Sequence, residues 1–148
     1  MNEDIPSFDR FDHDDAWRLG CAIVEACRAE RLTVTVCIRL GEQRVFHVGL
    51  PGSSADLDNW IERKSNVVTH FGESSMAVSQ KFVRDGDLTG FWTAFGLSPR
   101  KYFPSGGALP LLVGGALAGV VALSGVDSPT EHRIALTAMT DYAAQASR

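Results

Sequence analysis

Leu32-Thr-Val-Thr-Val-Cys-Ile-Arg-Leu40, followed by Arg44-Val-Phe-His-Val-Gly-Leu50, is the stretch that decides the architecture. Leu32, Val34, Val36, Ile38 and Leu40 alternate with Thr33, Thr35, Cys37 and Arg39, the period of a strand with one buried face. The second segment sets Phe46, Val48 and Leu50 on one side. Joined by a three-residue loop, Gly41-Glu42-Gln43, the strands align Ile38 with Phe46 and Val36 with Val48, so their apolar faces coincide. A two-residue turn would set Phe46 against the polar face. The chosen register puts Cys37 opposite His47 on the back.

A second hairpin follows downstream. Ala108 to Val126 carries no charge and is long enough for a membrane span. Pro110 and the Gly114-Gly115 pair divide it, so two strands, Leu109–Val113 and Leu117–Leu123, explain it better.

Helices fill the gaps. Asp12 caps one running to about Arg31, with Asp14 and Asp15 in its first turn, and Trp17, Cys21, Ile23 and Val24 form its apolar side. The His13-Asp14-Asp15 cluster is helix-start chemistry rather than a metal site. Pro51-Gly52 precedes a long helix that Gly72 ends, Ser74 or Ser75 caps another to about Arg84, and Leu88–Leu97 is a short one. Ser128-Pro129-Thr130-Glu131 reads as a capping box, with Ser128 as N-cap and Glu131 at the third helical position. Residues 1–11 read as an irregular lead-in. Hairpins with helices segregated between them predict a single α+β domain over residues 1–148, an antiparallel sheet of four to six strands with flanking α-helices.

Composition narrows the partners. The chain has 148 residues, 45% of them hydrophobic, enough for one core. A net charge of −4 and a pI near 5.5 argue against a nucleic-acid or membrane-surface partner. Three cysteines without paired spacing indicate free thiols in a reducing compartment. The acidic start, Asn2-Glu3-Asp4, lacks an apolar signal region, so a cytoplasmic location is expected.

The segment Trp60-Ile-Glu-Arg-Lys-Ser-Asn-Val-Val-Thr-His-Phe-Gly-Glu-Ser-Ser75 is the candidate site. At 100° per residue, Trp60, Ile61, Val67, Val68 and Phe71 share one arc of roughly 120°, and Lys64 lies in its middle. A cation aimed into an apolar face needs a negative companion. That companion is an internal carboxylate or a ligand, unless the long stem lets the amine snorkel out. Arg63 and His70 flank one edge of the stripe.

No GxSxG, P-loop, GxGxxG, HExxH or His/Cys metal spacing occurs. Arg63, Lys64, His70, Ser74, Ser75, Gly106 and Gly107 offer cations, hydroxyls and free backbone instead. With Trp60 and Phe71 as apolar walls, they suit a carboxylate or phosphate on a small molecule better than covalent catalysis.

The segments Phe11-Asp-His-Asp-Asp-Ala16, Trp60–Lys64 with Phe71–Ser75, Gly106-Gly-Ala-Leu-Pro110, Gly119-Val-Val-Ala-Leu-Ser-Gly125 and Glu131-His132 resemble the heme-degrading-domain family. That family includes GlcG-like and heme-binding-protein-S-like proteins, and the best match is its small single-domain cytoplasmic branch. The resemblance, from about residue 8 to 146, implies a profilin-like fold and a homo-oligomer. It also implies binding of heme, a related tetrapyrrole or another small anionic ligand. It transfers no iron ligand; of His13, His47, His70 and His132, His70 adjoins the Arg63/Lys64 edge where propionates would be met. The alternatives are an oligomeric protein–protein scaffold without a ligand, and an enzyme that degrades heme.

Overall fold

The computed structural model describes residues 4–147, so Asn2 and Glu3 of the acidic start lie outside it. Its elements are β1 (Ser7–Phe8), α1 (His13–Ala29), β2 (Thr35–Leu40), β3 (Gln43–Gly49) and α2 (Ala55–Phe71). There follow α3 (Ser75–Phe82), α4 (Leu88–Phe95), β4 (Ala108–Val113), β5 (Ala116–Ser124) and α5 (Ser128–Ala146). The strands form one sheet in the order β1-β4-β5-β2-β3. Its two hairpins, β2–β3 and β4–β5, join through antiparallel β5 and β2. The expected lead-in contributes a strand: Ser7 and Phe8 pair parallel with Leu112 and Val113, making the sheet mixed. Two residues carry too little alternation to be read as a strand; only the free edge of β4 makes them one.

The predicted register holds, by another route. Ile38 pairs with Phe46 and Val36 with Val48, yet the connection is the two-residue turn Gly41-Glu42, because Leu40 pairs with Gln43. A bulge between Ile38 and Arg39 restores the phase that a two-residue turn alone would invert. Gly41, at φ +58°, supplies the left-handed turn residue.

Each sheet face is covered. On one side α1 and α5 pack Leu19, Ile23, Ile134 and Met139 onto Val36, Ile38, Leu109 and Val121. Trp17 is not part of that stripe; it is 63% exposed and only edges onto Phe46, because Ala16, Leu19, Gly20, Ile23 and Cys27 make the buried face. Gly20 leaves room for the Phe46 ring, which any side chain there would strike. On the other side α2 lays Ile61 and Val68 over Cys37, Val120 and Ala122. Behind α2, Val67 meets Val78 of α3 and Phe91 of α4.

No helix among the described residues is long and apolar enough to cross a membrane. The uncharged stretch 108–126 is mostly the β4–β5 hairpin, turning at Gly114 and Gly115.

Candidate functional site

The inward lysine is real. Lys64 is 2% exposed, and its ammonium donates to Glu131 Oε1 at 2.9 Å, Leu123 O at 2.5 Å and Gly106 O at 3.2 Å. An ammonium has three N–H donors, so these acceptors satisfy it completely. Glu131 is also 2% exposed; its second oxygen accepts from the backbone N–H groups of Gly125 and Val126, at 2.7 and 3.0 Å. Burial pushes the Lys64 ammonium down from its ordinary range and the Glu131 carboxyl up, while their mutual attraction pulls each back toward its charged form. The pair ties α2 to the end of β5, the approach to β4 and the first turn of α5.

Two local readings change here. The N-cap of α5 is Asp127, whose carboxylate accepts from Thr130 N–H, and Ser128 is the first helical residue. Glu131 does not close a capping box, because its oxygens are committed to Lys64 and to the loop preceding the helix. Gly107 sits against the pair at φ +124°; a Cβ there would stand 2.5 Å from Lys64 Nζ and 2.6 Å from Glu131 Oε1. Gly106 is less crowded, with a Cβ there 2.8 Å from the Met76 methyl and 3.1 Å from Ser128 Cβ. Gly107 therefore serves close packing against the ion pair, and Gly106 contributes its carbonyl to it.

The hydroxyls also face inward. Ser74 caps α3 by accepting from Ala77 N–H, and Ser75 exchanges hydrogen bonds with both backbone groups of Ala108 at the start of β4. Both serines are fully buried.

The remaining candidates lie on another side of α2, beneath the irregular connection after α4. Arg63 donates twice to Pro99 O, at 3.1 and 2.7 Å, and its guanidinium lies 4.8 Å from the ring centres of both Trp60 and Phe103. Further along, Asn66 donates to Lys101 O, while His70 meets the rings of Tyr102 and Phe71 edge-on. Residues 99–103 thus form a strap held along α2. Beside Arg63 an open cleft of about 510 Å³ is lined by Asn59, Arg63, Pro99 and Arg100. Phe71 turns toward an aromatic cluster with Phe82, Phe91 and Phe95.

The candidates therefore divide. Lys64, Gly106 and Gly107 meet around Glu131; Trp60, Arg63 and His70 line the strap; Ser74, Ser75 and Phe71 support packing. Glu131, Phe103 and Arg100 were not among the sequence candidates. An unpaired inward lysine was the signal for the first, and Phe103 had none.

Comparison with known proteins fits this frame. The family model described as haem degrading protein HbpS-like matches residues 11–140. A UPF0303 protein of Streptomyces avermitilis is 41% identical over 133 residues, covering 89% of this chain and 80% of the relative. One from Serratia proteamaculans is 34% identical over 138 residues, covering 92% and 84%. Among solved structures, the Ybr137w protein superposes with a TM-score of 0.86 at 23% identity, covering 95% of this chain and 83% of that one. A PduOC:heme complex gives 0.74 at 21%, covering 88% and 93%. HbpS gives 0.70 at 14%, covering 95% of both. With the matched model spanning nearly the whole described fold, the chain belongs to the HbpS-like haem-degrading protein family.

Proposed function

We propose that this protein is a small-molecule binder whose ligand class is heme or a related tetrapyrrole carrying carboxylates. The ligand would be met at the cleft between α2 and the strap. The observation that carries the reading is Arg63, whose guanidinium lies over the edge-to-face pair of Trp60 and Phe103 rings with Arg100 beside it. A tetrapyrrole presents a flat apolar ring and anionic edge groups, and aromatic faces flanked by guanidinium groups suit both. Family membership and a fold neighbour solved with heme support that choice.

The histidines divide in the same sense. His13 Nε2 is engaged with Gln43 and His47 Nε2 with Asp58, at 3.2 and 3.0 Å. His70 shares the strap side of α2 and is the histidine this reading offers to iron. Lys64 is excluded from ligand contact because its donors are spent; it positions α2 instead. Three free cysteines fit a cytoplasmic protein.

Titration of the purified protein with hemin tests the reading. A saturable Soret shift near one equivalent is expected, weakened about tenfold by Arg63→Ala, the loss of one charge-assisted contact. An unshifted Soret band removes heme.

A second reading, a self-associating scaffold, rests on the outer edge of the sheet. β3 has one strand neighbour, and exposed Trp17 stands beside it against Phe46. Sedimentation of wild type and Trp17→Ser tests it; an oligomer unaffected by the substitution places the interface elsewhere.

A further inference from the structure

The bulge that sets the hairpin register also creates an electrostatic conflict. It places Arg39 of β2 directly opposite Arg44 of β3. Like charges facing each other on adjacent strands repel. One α2 carboxylate serves both: Glu62 is 2.7 Å from Arg44 Nη2 but 3.9 Å from Arg39 Nη1. Arg44 is half exposed and has water as well. Arg39 does not.

Arg39 is 8% exposed. Its guanidinium donates one long hydrogen bond, from Nη2 to Thr69 Oγ1 at 3.3 Å, and its Nε is buried with no partner among the described residues. A guanidinium carries five N–H donors, and burying them unmatched is costly. Its backbone is pinned as well: Gly119 of β5 lies so close to the Arg39 carbonyl that no side chain fits there. The side chain lines a half-open groove of about 610 Å³ at the turn end of the sheet. Asn66 and Thr69 of α2 wall it on one side and Leu117 and Ala118 of β5 on the other, with Glu42 at the solvent rim.

We infer that this groove binds an oxyanion, the carboxylate or phosphate group of a small molecule, through the guanidinium groups of Arg39 and Arg44. A planar oxyanion matches the guanidinium fork, gives the Nη groups of Arg39 a closer acceptor than Glu62 at 3.9 Å and relieves the repulsion with Arg44. Leu117, 40% exposed, offers an apolar surface for the body of the ligand. The site shares no residue with the cleft beside Arg63 and stands independently of the tetrapyrrole reading.

The Nε–H resonances of the arginines in a ¹H–¹⁵N spectrum provide the test, because a buried Nε–H exchanges slowly. Inorganic phosphate, succinate and hemin are titrated separately at constant ionic strength, with sodium chloride as control. The expected result is a saturable shift of the Arg39 signal by at least one of the three; the affinity for that same compound, read by calorimetry, falls about tenfold in Arg39→Lys, which keeps the charge and loses the fork. Arg44→Gln, at an exposed position, repeats the test should Arg39→Lys fold poorly, and Arg133→Ala on the opposite face should bind as wild type does. Saturation by phosphate or succinate identifies a free small acid; saturation by hemin alone, abolished in Arg44→Gln, identifies tetrapyrrole carboxylates. A response that is linear for all three and reproduced by chloride overturns the site, whatever hemin does to the Soret band of Arg63→Ala.

Discussion

Lys64 Nζ and Glu131 Oε1 lie 2.9 Å apart, each residue 2% exposed, although 67 positions separate them in the chain. Removing one member leaves the other charged and buried. Lys64→Met should therefore destabilise the fold by about 3–5 kcal/mol. Lys64→Met with Glu131→Gln should recover a substantial part, since the amide oxygen can still accept from Gly125 and Val126. Urea unfolding of the two single variants and the double variant measures the coupling; strictly additive effects would show that the pair is not a unit.

Gly107→Ala should cost on the order of 3 kcal/mol, combining a backbone at φ +124° with a Cβ driven into the ion pair. Gly114→Ala, at φ +57° with open space around it, should cost only about 1 kcal/mol. Thermal melts of both variants separate crowding from backbone strain, and equal losses would refute the crowding.

Acid should weaken the junction of α1 and α5. Burial raises the Asp15 carboxyl, but hydrogen bonds from Tyr142, from the Asp12 backbone and from Arg18 outweigh it and hold its pKa down at about 2. A carboxylate depressed in the folded state contributes stability above its unfolded pKa and loses it as pH falls through the folded value. That contribution should be complete above about pH 4 and fade toward pH 2. Tyr142→Phe removes the 2.6 Å bond to Asp15, so the gap in melting temperature between wild type and variant should narrow across that window. A gap independent of pH would assign the effect to packing.

Ser75→Ala should cost about 1–3 kcal/mol, because both backbone groups of Ala108 lose a buried partner. Ser74→Ala, which removes a helix cap, should cost about 1 kcal/mol. Chemical denaturation ranks the two; the reverse order would mean that the start of β4 finds other partners.

Arg63→Ala should loosen the strap while leaving the core intact. Its two bonds to Pro99 O fix the segment that presents Arg100 and Lys101 to solvent. Limited trypsin digestion should cut there several-fold faster at nearly unchanged global stability. An unchanged cleavage rate would mean that the remaining bonds, from Asn66 to Lys101 O, Trp92 Nε1 to Tyr102 O and Phe103 N–H to Arg63 O, hold the strap without the guanidinium.

Local rules were enough for some features. Asp12 caps α1 through a full capping box because its partners lie within three residues. The facing of Ile38 on Phe46 followed from burial alone, even though turn length and bulge were misassigned together, because two compensating shifts leave the same side chains paired. At Ser128-Pro129-Thr130-Glu131, local chemistry misled. A glutamate at the third helical position ordinarily serves its own helix, and here a lysine from α2 claimed it.

The linear chain by itself determined the period of every element but β1, the existence of two hairpins, and the inward direction of Lys64. All are set by side-chain alternation and helical pitch within a few residues. The folded structure alone decided that Glu131 answers Lys64, that Arg63 stacks on Phe103 beneath a strap, and that Arg39 and Arg44 confront each other. Those relationships join segments far apart in sequence, and burial removes the water that would otherwise satisfy each charge, so the partner is whatever group the packing brings within reach.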